Sequence, residues 1–190
     1  GHSFTASSGN TTVNITGWTL STLAITPPLN YNGDLTLTVT ATGIETANGD
    51  TESTVKTIDI HVNPVNDAPV ITSNGGGATA SASVAENSTV VTTVTPTDVD
   101  GDTPSYSVLT GAGSPDAAKF TIDESTGALN FITAPDFETP GSVAGSNVYT
   151  VQVQASDGSG GTDVQTITVN VTNVAEGPTY VVTSTADSTA

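Results

Sequence analysis

The chain has 190 residues, 35% of them hydrophobic, which is enough for one or two cores, and no stretch approaches the ~20 apolar residues of a membrane span. Nineteen acids face only two bases, Lys56 and Lys119, for a net charge of -17, and such a surface repels phosphate backbones and excludes nucleic-acid binding. Cysteine is absent, so neither a disulfide framework nor thiolate chemistry is available. Acidity of this degree belongs to a disordered chain or to a folded one whose acids are neutralised by cations, and the ordered alternation described next selects the folded chain.

The opening, Gly1 to Asn10, has neither a basic n-region nor an apolar h-region. No signal peptide is expected there, and the chain is expected to start within a longer one. Further along, apolar residues alternate with Thr, Ser and Asn over short runs bounded by Gly, Pro and Asp, the signature of half-buried strands. Leu35, Leu37, Val39 and Ala41 form one run and Ile58, Ile60 and Val62 another. In the second half Val151, Val153 and Ala155 are followed by Ile167, Val169 and Val171. The abundance of Thr and Val, which suit a pleated surface better than a helix, gives an all-β chain with the sandwich as its leading architecture.

An internal repeat sets the organisation. Thr57-Ile58-Asp59-Ile60-His61-Val62-Asn63-Pro64-Val65 is echoed by Thr166-Ile167-Thr168-Val169-Asn170-Val171-Thr172-Asn173-Val174, and Pro69 and Pro178 keep the same offset. A period of that length suits tandem sandwiches of ~100 residues, not a solenoid. Residues 1–63 are therefore expected to be the C-terminal part of one repeat and residues 64–69 a stiff, proline-bearing linker. Residues 70–174 are expected to form a complete repeat, and 175–190 a linker with the start of a further domain, whose opening strand is read at Thr179 to Ser188.

The acids of the complete repeat fall at predicted strand ends: Glu86, the triple Asp98, Asp100 and Asp102, the pair Asp136 and Glu138, and Asp157. Acids at such positions read either as solvated turn residues or as cation ligands. Turn chemistry accounts for Asp123, in Ile122-Asp123-Glu124-Ser125-Thr126-Gly127. Alternating acids in an extended segment project to one side and repel one another unless a cation is shared, so the aspartate triple with Asp157 points to calcium, which takes six to eight hard oxygens in loose geometry.

The order of short motifs along residues 63–178 resembles the cadherin and bacterial cadherin-like family. The motifs are Ala85-Glu86-Asn87, Asp98-Val99-Asp100, Phe120-Thr121-Ile122-Asp123-Glu124-Ser125-Thr126-Gly127, Asp136-Phe137-Glu138 and Ala155-Ser156-Asp157, with linkers ending at Pro69 and Pro178. The resemblance implies tandem Greek-key, immunoglobulin-like β-sandwiches with Ca2+ at the interdomain junctions. It places Asp98, Asp100 and Asp157 with Asn66 and Asp67 at the upstream junction. Glu86, Asp136 and Glu138 face the downstream one, with Asn173 and Glu176 as helpers. Both linkers depart from the family's acidic pattern, the downstream one further, and Gly43 stands where the earlier copy would carry the counterpart of Asp157. Trp18-Thr19-Leu20 and the segment Pro27 to Asp34 resemble the immunoglobulin-like repeats of very large bacterial adhesins and repeats-in-toxin proteins.

Catalysis has little to stand on. His2 lies at a terminus and alternation turns His61 away from the core; without Cys or grouped His, zinc is not expected. Paired glycosidase carboxylates need a cleft, which sandwich ends do not offer. The expected function is a calcium-binding structural and adhesive repeat, extracellular or on a bacterial cell surface, with neighbouring repeats of the same chain as partners and a cell-surface protein or polysaccharide as a candidate ligand. The resemblance alone suggests homophilic adhesion. The alternative is a carbohydrate-binding module, which an exposed aromatic row would favour and an aromatic content of 5% disfavours.

Overall fold

The structure, a computed structural model, describes residues 2–7, 9 and 11–177. Among these, regular structure is strand apart from three single turns of 3-10 helix. The chain divides into two compact units, Gly1–Val65 and Asn66–Ala190. The strand read at Thr179 to Ser188 lies outside the described residues.

In the first unit, β1 (Gly33–Ile44) pairs antiparallel with β2 (Thr51–Val62) along its whole length. Leu35 stands opposite Ile60 and Leu37 opposite Ile58. The period of two therefore gathers the apolar side chains on one face, with Thr36, Thr38, Thr57 and Asp59 on the other. Cover of that face is incomplete: Leu35, Val39 and Ile60 are half-buried, while Leu37 and Ile58 are 39% and 51% exposed. His61 points to solvent as its alternation requires, with Nδ1 2.6 Å from Asp34 Oδ1. Trp18 stacks on His2 at a centroid distance of 5.1 Å, so one face of the indole is already occupied.

The second unit holds β3 (Val70–Ile71), β4 (Thr79–Ala85), β5 (Val90–Thr93), β6 (Pro96–Thr97), β7 (Ser105–Leu109), β8 (Phe120–Ile122), β9 (Ala128–Phe131), β10 (Val148–Ser156) and β11 (Thr162–Thr172). One sheet has the order β4-β11-β10-β7, with β4 parallel to β11 and the other pairs antiparallel. A second has the order β5-β9-β8, and β3 pairs with β6 separately. Strict alternation in β10 and β11 turns Val151, Val153, Ala155, Ile167, Val169 and Val171 inward, between 0% and 4% exposed. They pack with Leu129 and Phe131 of β9 and Phe120 of β8 into one core between the sheets. Phe131 lies 4.4 Å from Phe120 and meets Tyr149 edge-on at 5.1 Å, the geometries aromatic quadrupoles favour.

Gln165 stands on the inward face of β11, where alternation calls for an apolar residue, and Asp116 is buried in a loop. Gln165, fully buried on β11, donates to the Ser73 and Gly77 carbonyls at 3.3 and 3.1 Å and accepts from Asn74, which satisfies its amide. Asp116, 3% exposed, accepts the N–H groups of Val143 at 2.6 Å and Thr150 at 2.8 Å, tying the 110–119 loop to β10. Asp123 serves its turn as expected, accepting from Ser125 and Thr126 at 3.0 and 2.8 Å. Gly127, at φ +70, closes that turn where a Cβ would collide with the Val94 carbonyl.

Candidate metal centres at the two ends of the second unit

β11 runs the length of the second unit, so its two ends define two groups of acids. At the end where it begins, β3 pairs with β6, which sets Asn66 and Asp67, just before β3, beside the loop that follows β6. Asp157, between β10 and β11, is linked to this end through Asn66, but among the described residues the oxygens of Asp98, Asp100 and Asp157 do not gather as the three acids of the other end do. The Asn66 amide donates to Asp157 Oδ2 at 2.8 Å, the Asp67 N–H to Asp100 Oδ2 at 2.7 Å, and the Asp100 N–H to Asp98 Oδ1 at 2.9 Å. Asp98 Oδ2 is buried with no hydrogen-bond partner among the described residues. The 98–102 loop is not the extended segment its alternating acids suggest. It bends, because Asp98 captures the N–H two residues on and Gly101 takes φ +83. Asp102 is exposed and joins neither group of acids.

At the other end, Glu86 follows β4, Asp136 and Glu138 lie beyond β9, and Asn173 and Val174 leave β11. Parallel pairing of β4 with β11 carries Glu86 alongside Thr172, whose carbonyl accepts the Glu86 N–H at 3.0 Å. The Glu86 side chain, 3% exposed, accepts the Val174 N–H at 2.6 Å through Oε1 and the Phe137 N–H at 2.9 Å through Oε2. The Asn173 amide donates to Glu138 Oε1, and Asp136 Oδ1 accepts the Thr139 N–H at 3.0 Å. Carboxylate oxygens of Glu86, Asp136 and Glu138 thereby come within 4.8 Å of one another.

This compact group stands at the linker that departs furthest from the family's acidic pattern. Its three acids come from within the repeat, while the linker adds the Val174 N–H and the Asn173 amide, and a backbone donor leaves no mark in the sequence. Among the helpers expected there, Asn173 touches Glu138, and no contact places Glu176.

The electrostatics favour anions at both ends. The Val174 N–H, and after it that of Phe137, holds Glu86 below the usual glutamate range against the opposing effects of burial and, more weakly, the Asp136 charge. The Asn66 amide, with the N–H groups of Ser159 and Gly161, lowers Asp157. Among the described residues no lysine pairs with any carboxylate, and the one contact of that type is His61 with Asp34. Three anions at this spacing repel one another, and a divalent cation relieves the repulsion. The donor set is hard oxygen throughout, without nitrogen or sulfur ligands, and Asp98 adds an unpartnered buried oxygen at the first end. Both features fit calcium.

These depressed values fix the sign of the pH dependence. Each lowered carboxylate contributes stability that is complete above its unfolded value and is lost as pH falls through its folded value. The melting temperature should therefore be level near neutrality and fall in acid, below the usual carboxylate range of about 4. Glu86→Gln should flatten the acid limb in a pH series of thermal melts, and an unchanged limb would show that Glu86 does not supply it.

A two-layer β-sandwich of this topology has the immunoglobulin-like fold. A family model described as a bacterial Ig domain matches residues 66–170, more than half of the chain, and the chain belongs to that family. Among solved structures, the cadherin domains 3–6 of protocadherin gamma B2 match with a TM-score of 0.55 at 22% identity, over 73% of this chain and 32% of that one. Protocadherin gammaB7 EC3-6, solved as a cis-dimer, gives 0.53 at 24% identity over 74% of this chain and 33% of that one. Mouse clustered PcdhgC3 EC1-3 gives 0.51 at 23% identity, over 73% and 43% respectively. The chain spans about a third of the length of the two longer protocadherin structures, and these likenesses show the fold. No curated protein matches the chain in sequence. Among the described residues no helix is long and apolar enough to cross a membrane.

Proposed function

We propose that the chain is a calcium-stiffened spacer and adhesion repeat of a bacterial surface or secreted protein. Ca2+ is held at the ends of the sandwich, where repeat meets repeat, and neighbouring repeats of the same chain are its first partners. One observation carries the reading: the oxygens of Glu86, Asp136 and Glu138 lie within 4.8 Å of one another, and among the described residues none is ion-paired with a cationic side chain. A divalent ion there would join β4, the segment after β9 and the segment leaving β11, and so fix the direction in which the chain leaves the repeat. At the other end Asp98, Asp100 and Asp157 would do the same for the entering chain, with Asn66 and Asp67. Affinities of extracellular calcium modules, about 10⁻⁴ to 10⁻³ M, would make such a repeat stiff outside a cell and pliant where calcium is scarce.

The two units supply a direct test. The chain has no cysteine, so Ser53→Cys and Ser107→Cys, both at exposed positions, give one spin label in each unit. Calcium should narrow the distance distribution between the labels and chelation should broaden it. Identical distributions would rule out stiffening. Aromatic placement argues against the carbohydrate-module alternative in its exposed-platform form, because Phe120, Phe131 and Tyr149 are stacked in the core.

A further inference from the structure

A cavity of about 390 Å³ opens on the flank of the second unit, between the end of β9 and the 139–141 loop. Sites for small molecules start at roughly 300 Å³. Phe131 and Tyr149 form its floor, Ile132 its apolar rim, and Lys119, Asp136 and Thr139 its polar edge. Lys119 is the one base among the residues of the second unit, and no carboxylate lies within ion-pair distance of it among the described residues. The Tyr149 hydroxyl accepts the Gly141 N–H at 3.0 Å and keeps its own proton free to donate.

Lys119 and Tyr149 converge on one point. A Cβ built on Gly141 would stand 3.5 Å from the Tyr149 hydroxyl and 4.0 Å from Lys119 Nζ. The missing side chain of Gly141 thus leaves a small space faced by an ammonium and a phenol O–H. Two donors around one space suit a carboxylate. The Asp136 carboxylate and Thr139 hydroxyl beside it suit the hydroxyl groups of the same ligand, and the exposed Ile132 side chain suits its C–H face. On a surface as acidic as this one, a lone unpaired lysine is the local charge that lets an anion approach.

We propose that this cavity binds one residue of an acidic sugar, a uronate, with its carboxylate on Lys119 and Tyr149 and its hydroxyls toward Asp136 and Thr139. The site shares Asp136 with the cation reading, and an ion on Asp136 would offset the one carboxylate that opposes the ligand.

Titration of the 190-residue chain with sodium glucuronate, followed by amide NMR in millimolar calcium and again with chelator, tests the proposal. Saturable shifts should appear at Lys119, Thr139 and Gly141. Lys119→Ala should weaken binding by about tenfold or more, as expected on losing a charge-assisted hydrogen bond. Gly141→Ala, whose added methyl meets its neighbours at ordinary contact distance, should weaken it while leaving the melting temperature unchanged. Absence of saturable shifts under both conditions, or an affinity indifferent to both substitutions, would overturn the site. Glucose binding as tightly as glucuronate would overturn the role of the charge, and acetate binding as tightly would overturn the sugar assignment.

Discussion

Millimolar calcium should raise the melting temperature of the second unit by on the order of 5–10 °C, and Asp136→Asn combined with Glu138→Gln should remove the part of that rise contributed by the Glu86 end. The size follows from mass action. An ion present at ten times its dissociation constant adds about 1.4 kcal/mol, and at a hundred times about 2.7 kcal/mol. For a domain of this size each kcal/mol is worth roughly 4–8 °C. Both acids are exposed and the substitutions keep their shape, so the calcium-free protein should fold and melt near the wild-type temperature, or slightly above it once the mutual repulsion is gone. Calorimetric titration separates the two ends: the double substitution should remove one class of site, and Asp98→Ala with Asp100→Ala the other. A wild-type melting temperature that ignores calcium would mean that these acids are solvated loop residues held by neighbouring N–H groups, and the spacer would be stiffened by its prolines alone.

How far the sequence speaks depends on which physical effect sets each feature. Alternation located β10 and β11 because a sheet buried on one face imposes a period of two, and Val151, Val153, Ile167 and Val169 obey it. The same alternation located β1 and β2 but could not say how well their apolar face is covered; Leu37 and Ile58 remain exposed although they follow the same pattern. Gln165 falls on the inward face that alternation reserves for apolar residues and is fully buried there, because the carbonyls of Ser73 and Gly77 satisfy it and they come from ~90 residues earlier in the chain. β3 and β6, two residues each, fall below the length any periodicity can show. The candidate site divides in the same way. The carboxylates are visible as letters, and their grouping at strand ends drew attention to them. The contact that holds Glu86 in place is made by the Val174 and Phe137 N–H groups, and every non-proline residue owns one.

Ile167→Ala should cost the second unit about 2–5 kcal/mol, a lowering of the melting temperature on the order of 10 °C or more. Ile167 is fully buried on β11, opposite Val151 of β10 and level with Ala80 of β4, so truncation leaves a void that three paired strands cannot readily close. Against a total stability of roughly 5–15 kcal/mol this is a large fraction. The substitution touches no acid, so the calcium increment in melting temperature should survive it, displaced to lower temperature. That separates two sources of stability which a simple loss of folding would confuse: the core holds the sheets together, while a bound ion would act only on the ends. Loss of the increment as well would carry a different meaning. β11 delivers Asn173 and Val174 to Glu86 and Glu138, and β10 delivers Asp157 to Asn66. A core mutation that silenced both ends would show that these strands set the spacing of the carboxylates through their packing, and that calcium reads the order of the core from its two edges.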